Sequence, residues 1–239
     1  MIRFVLATVI GLLATPLCAE VKIAEVTSPG GIKAWLVEEH GIPFTALEIR
    51  FRGGTSLDAP GKRGSVMLMA SLLEEGAGGL DSQGFANKRD DLAAKFGFDA
   101  GGDMVTVSAQ MLTENRDAAI DLLKLALTDP AFDQPAIDRV RGQVLSIIAE
   151  HASSPSDIAQ DVGRKLTFGD HPYGSSDLGT AESVNGLTRD DILAAKAATM
   201  ARDRLYVSAV GDISPADLGA LLDKLLGDLP ATGAPLPPP

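Results

Sequence analysis

Thiols and imidazoles are scarce in this chain. Its 239 residues include one cysteine and three histidines. A single thiol builds no disulfide framework, no iron–sulfur cluster and no cysteine-based zinc site. Three histidines leave room for one histidine-based metal site at most. His40, His151 and His171 lie far apart in the chain, whereas two ligands on one helical face need a separation of three or four residues. Positive charge is sparse as well. Lys and Arg number 21 against 32 Asp and Glu, for a net charge of −11. No basic run offsets that balance, which argues against nucleic acid as a partner. Recognisable nucleophile and phosphate motifs are missing too. No Gly-x-Ser-x-Gly elbow occurs, and Gly76-Ala77-Gly78-Gly79 lacks the Lys-Ser/Thr of a phosphate loop. Glu74 and Glu75 are adjacent, so on a helix they point to different sides and form no acid/base dyad. His40, His151 and His171 read as polar turn and surface residues, and Ser65 and Ser71 as packing within an apolar helix.

What is present is ordinary globular composition, 45% hydrophobic and 22% charged. Residues 1–19 read as a secretory signal. Arg3 gives the positive start, Phe4 to Ala14 is apolar, Pro16 breaks the run, and Leu17-Cys18-Ala19 ends in a small residue. That run is far short of the ~20 apolar residues a membrane span needs. The expected location is therefore periplasmic or secreted, with the lone Cys18 removed with the leader. From Leu229 the chain reads Leu-Pro-Ala-Thr-Gly-Ala-Pro-Leu-Pro-Pro-Pro. This is the composition of a linker or tail over 229–239, biased to extended conformation.

Strand patterning appears at Ile32 to Glu38 and Phe44 to Phe51, joined at His40-Gly41-Ile42-Pro43. In the second, Leu47, Ile49 and Phe51 alternate with Ala46, Glu48 and Arg50. Gly64 to Glu75 reads as an apolar helix stopped by glycines, and Ser82 to Lys95 as another. Phe96 to Ala100 and Met104 to Gln110 read as a hairpin. Thr113 to Leu127 predicts a helix with Ala118, Leu122, Leu125 and Ala126 on its stripe. Pro135 and Pro155 open two further helices. Asp190 to Met200 is helical, Leu205 to Val210 a strand, and Pro215 to Leu226 a last helix. Strands and helices interleave without a βαβ rhythm, which points to an α+β layer architecture.

The order of certain motifs is more specific. A strand ending Arg52-Gly53-Gly54-Thr55-Ser56, a Pro60-Gly61 turn and the helix from Gly64 come first. Phe168-Gly169-Asp170-His171-Pro172-Tyr173-Gly174 follows, then Gly179, Glu182-Ser183-Val184, Leu187 to Ile192, and a strand ending Val210-Gly211-Asp212. Over residues 22–228 this order resembles the insulinase/pitrilysin family of zinc metallopeptidases, which includes the mitochondrial processing peptidases and the core proteins of the bc1 complex. The resemblance implies a mixed or antiparallel sheet with helices on one face, in an N-terminal domain spanning 20–228. It also implies a second related domain after a linker.

Active members of that family carry H-x-x-E-H on the helix after the first glycine. Two histidines hold zinc, and the glutamate polarises water. A further glutamate follows about 76 residues downstream. Carried over residue by residue, the first histidine falls on Met67, the glutamate on Ala70 and the second histidine on Ser71. The downstream glutamate falls near Ile147. A thioether, a methyl, a hydroxyl and an aliphatic chain do not hold Zn²⁺ against water. The resemblance therefore implies a non-catalytic homologue with no cofactor. Such homologues pair with an active zinc peptidase as a heterodimer and help enclose peptides, which are recognised along a strand edge. Two other expectations stay open: an active zinc metalloendopeptidase with unrecognised ligands, and a structural or assembly subunit of the bc1-core kind.

Overall fold

The computed structural model describes residues 21–237. The segment read as a signal, 1–19, lies outside the described residues. In chain order the strands are β1 (Ala24–Thr27), β2 (Lys33–Glu38), β3 (Phe44–Arg52), β4 (Lys95–Ala100), β5 (Met104–Leu112) and β6 (Leu205–Gly211). The helices are α1 (Ser65–Leu72), α2 (Ser82–Asp91), α3 (Arg116–Thr128), α4 (Gln134–His151), α5 (Pro155–Phe168), α6 (Ala181–Asn185), α7 (Arg189–Thr199) and α8 (Pro215–Leu226). One six-stranded sheet has the order β1-β2-β6-β3-β5-β4. Among the described residues only β2 and β6 run parallel; the other pairs are antiparallel.

Alternation decides which face of the sheet is covered. Leu47, Ile49 and Phe51 of β3, Val105, Val107 and Ala109 of β5, and Val207 and Ala209 of β6 are buried. Their register places them side by side, with Leu47 opposite Ala209 and Ile49 opposite Val107. Helices α1, α3, α4, α6, α7 and α8 share one core with this face, Phe85 of α2 joins a smaller cluster with Ala77, Leu122 and Ala126, and α5 buries no residue. The reverse face is open, and Trp35, Tyr206 and Val210 project from it. This one-sided, mixed α+β sheet is the architecture the resemblance implies.

Several local readings are corrected. Strands β2 and β3 are joined through His40 to Pro43 as expected, and β6, which the sequence reading did not position, lies between them in the sheet. Strand β1 and helix α6 were not anticipated; α6 is closed by a reciprocal cap between Thr180 and Ser183. The helix expected over Ser82 to Lys95 ends at Asp91, since Ala93 turns to φ 50 and Lys95 already pairs with Gln110. The helix expected over Gly64 to Glu75 is the shorter α1. Ala118 is exposed; the buried side of α3 carries Ala119, Ile120, Leu122, Leu123, Ala126 and Leu127. The linker-like segment is tied down at its start. Leu229 is buried, Arg202 N–H donates to the Pro230 carbonyl at 2.9 Å, and Ala234 N–H donates to the Ala198 carbonyl at 3.0 Å. Among the described residues no helix is long and apolar enough to cross a membrane.

Candidate functional site

The site to test is the helix on which the resemblance places a metal. Helix α1 starts after Gly64, which has φ 94 and no side chain to cap the helix. A Cβ there would meet the Leu178 carbonyl oxygen at 2.5 Å. Asp58 supplies the cap instead. One carboxylate oxygen accepts from Ser65 Oγ at 2.7 Å and Val66 N–H at 2.8 Å, and the other accepts from Gly64 N–H at 2.9 Å. Burial pushes the Asp58 carboxyl above its ordinary value, while these bonds and the Arg63 guanidinium pull it back.

Arg63 then joins the two stretches of sequence that carry the resemblance. Its guanidinium donates to the Ser176 carbonyl at 3.0 Å, the Pro172 carbonyl at 3.1 Å and the Asp177 carboxylate at 3.0 Å. It also donates to the Thr55 carbonyl, and Thr55 donates to Asp177. The His-Pro-Tyr-Gly segment is thereby fixed beside the start of α1.

The helix itself faces the core. Val66, Leu68, Met69, Ala70 and Leu72 are buried, and Met67 is partly buried against the same cluster. Ala70, on which the resemblance would put the base, is 1% exposed. Ser71 Oγ donates to the Met67 carbonyl at 3.1 Å, so its one donor is used inside the helix. Helix α1 packs against α4, which carries Ile147, an exposed aliphatic side chain. At the four positions where the resemblance would put ligands and base, Met67, Ala70, Ser71 and Ile147 are side chains that do not fit a zinc ion.

Nearby charges are engaged elsewhere. Glu74 lies 3.7 Å from Arg89, and Glu75 pairs with Arg139. The histidines do not converge. His40 Nδ1 is 2.7 Å from Asp212 on the surface, His171 Nδ1 accepts from Tyr173 N–H at 3.2 Å, and His151 lies in the last turn of α4. Among the described residues no group of three or more His, Cys, Asp and Glu could hold a metal ion.

Sequence reasoning missed the open face of the sheet. A trough of about 370 Å³ runs past Trp35 and Tyr206. A groove of about 610 Å³ is bounded by Arg52, Asp103, Phe168, His171, Tyr173 and Tyr206. Tyr173 donates its hydroxyl to Asp103, a hydrogen bond that raises the phenol pKa, and its ring stands edge-on to Phe168 and His171. The available signal was the alternation Ala34-Trp35-Leu36 and Leu205-Tyr206-Val207, which puts aromatic rings on the outward side of two strands.

A solved Pseudomonas fluorescens structure, described as a peptidase M16 inactive domain, matches the fold of this chain with a TM-score of 0.85 at 27% identity. The match covers 90% of this chain and 53% of that one. This chain is related to the M16, insulinase-like peptidases. The Helicobacter pylori protein named non-peptidase homolog YmxG is 29% identical over 193 residues, which is 81% of this chain and 45% of that protein. The beta subunit of the mitochondrial-processing peptidase of Saccharomyces cerevisiae is 22% identical over 174 residues, covering 73% of this chain and 38% of the subunit. No family model matches the chain. The M16-like chain spans about half the length of the curated relatives it matches.

Proposed function

We propose that this chain is a non-catalytic M16-like domain that pairs with an active zinc-peptidase homologue and helps hold extended peptides. The observation that carries this reading is α1. Its start is built by Asp58, Arg63 and Gly64, yet Met67, Ala70 and Ser71 stand where the family resemblance would put ligands and base, with Ile147 on the helix beside it. The relatives described as a non-peptidase homolog and an inactive domain support it.

Strand β4 is the candidate peptide rail. It pairs with β5 on one side and with no other described strand, and α1 packs against it. An extended chain laid along that edge gains main-chain hydrogen bonds that tolerate many sequences. The net charge of −11 favours basic peptides at long range. The N-terminal segment would deliver the protein to the periplasm, where the pair would act.

Hydrolysis of a quenched fluorescent peptide tests the reading. The purified chain alone is expected to be inert and free of stoichiometric zinc, and to raise or enable cleavage when an active homologue is added. Stoichiometric zinc with activity, both lost in His40→Ala or His171→Ala, would overturn it. Stable association with the homologue and no effect on cleavage would point to an assembly role instead.

A further inference from the structure

The proline-rich segment after α8 is gripped by a buried arginine. Arg204, just before β6, donates its guanidinium to the Ala234 carbonyl at 2.6 Å and to the Ala198 carbonyl at 3.0 Å. Asp203 balances its charge at 3.2 Å. Gly233 leaves room for the grip, since a Cβ there would meet Arg204 Nη2 at 2.5 Å. Both Arg204 and the Arg202 N–H reach carbonyl oxygens of this segment. Carbonyls are the groups a proline-rich chain still offers, because proline has no N–H.

Beyond the grip the sequence stiffens itself. Proline fixes φ at positions 235 and 237, and it disfavours the helical region for Ala234 and Leu236 before them. Pro235-Leu236-Pro237 is thus extended before it touches anything. It runs to the groove of about 610 Å³ on the open face, where Leu236 and Pro237 form one side and Tyr206, Tyr173 and Phe168 stand among the other walls. Gly53 makes room for it, since a Cβ there would come within 3.1 Å of Leu236 Cδ2.

We propose that this groove is a binding site for extended proline-rich segments that carry a leucine, and that residues 234–237 of the chain itself are its resident ligand. The segment already seated there selects this class of occupant. Aromatic-lined grooves suit proline-rich chains, which are stiff and lose little entropy on binding. Tyr206 and Arg52 bring a hydroxyl and a guanidinium to the groove, donors for the carbonyls of such a chain. Leu236 is still 36% exposed and the space beside it is open, so the resident is exchangeable. Its anchors at Pro230 and Ala234 keep it at an effective concentration on the order of millimolar. A free segment of the same sequence therefore binds well only once the resident is dislodged. The inference depends neither on the peptidase pairing nor on the β4 rail proposed above.

Fluorescence anisotropy tests it in the full chain, with a labelled peptide that copies residues 232–239, Thr-Gly-Ala-Pro-Leu-Pro-Pro-Pro. Leu236→Asp dislodges the resident, because an apolar wall does not hold a carboxylate. This variant is expected to bind the peptide at least about tenfold more tightly than wild type does. Adding Tyr206→Ala or Phe168→Ala, both at half-exposed positions outside the core, is expected to weaken that binding at least about tenfold. Circular dichroism should be the same for all four proteins. Wild type that binds as tightly as Leu236→Asp, or no binding by either, overturns the proposal. So does binding to Leu236→Asp that survives both aromatic substitutions. A peptide that itself carries the Leu236→Asp change and binds as well as the original overturns the leucine-and-proline class of ligand.

Discussion

Arg63 and Asp177 meet at 3.0 Å although 114 positions separate them in sequence. The contact fastens the His-Pro-Tyr-Gly segment to the residue that precedes α1. Arg63 is mostly buried and feeds several carbonyls at once. Arg63→Ala is expected to cost about 2–4 kcal/mol, because carbonyls and a carboxylate are left without their donor. Arg63→Lys should recover little, since an ammonium cannot reproduce the fork. Urea denaturation checks both; a loss below about 0.5 kcal/mol for the alanine variant would contradict the assigned role.

Asp58 is the cap of a helix that has none of its own. Asp58→Ala should destabilise by about 1–3 kcal/mol through three lost hydrogen bonds at the start of α1. Asp58→Asn keeps one oxygen for Ser65 and Val66 but turns an amide toward Gly64 N–H, so a smaller loss is expected. The two variants ranked in the opposite order in thermal unfolding would refute the cap.

His40 and Asp212 form a surface pair with opposite shifts. The hydrogen bond that His40 donates to Asp212 raises His40, and that same bond, with one from Thr113, lowers Asp212. The stabilisation tied to protonated His40 is complete below the ordinary histidine value and disappears as pH rises through the raised one. The part tied to ionised Asp212 is present above the ordinary carboxylate value and lost as pH falls through the lowered one. The pair therefore acts in the window between. An NMR titration should place His40 above its usual value of about 6.5, and Asp212→Asn should bring it back. A His40 that titrates at or below that value in the wild type would contradict the pairing.

The i,i+4 relation of Met67 and Ser71 allows a constructive experiment. Met67→His with Ser71→His places two imidazoles on one face of α1, and calorimetry should detect divalent-metal binding absent from the wild type. Adding Ala70→Glu should cost about 2–4 kcal/mol, because Ala70 is buried and a carboxylate there lacks a partner. No gain of metal binding in the double-histidine variant would mean that Met67 and Ser71 do not share an accessible face.

The sequence made some of this legible and hid the rest for physical reasons. Alternation at Leu47, Ile49 and Phe51 announced the buried face of β3, since period-two patterning is local. The insertion of β6 between β2 and β3 was not readable, because Trp35 meets Ser208 across a parallel pairing that no local turn dictates. At Ala93 a non-glycine residue adopts positive φ, and propensity alone gave no warning of that stop. The assignment of ligand positions to Met67, Ala70 and Ser71 comes only from the order of motifs, and no local pattern carries it. The groove around Tyr173 was not, because Arg52, Asp103, Tyr173 and Tyr206 come from four distant segments. The periodicity of α5 is plain in sequence, whereas the direction in which it points is a tertiary fact.

The one-sided sheet also equips the protein with its own optical probe. The single tryptophan of the chain, Trp35, stands half exposed on the uncovered side, beside Tyr206. Whatever settles on that side dries the indole and moves its emission to shorter wavelength. Unfolding wets it and moves emission the other way. Occupation and denaturation can thus be followed separately in the unlabelled protein, from the sign of one fluorescence shift.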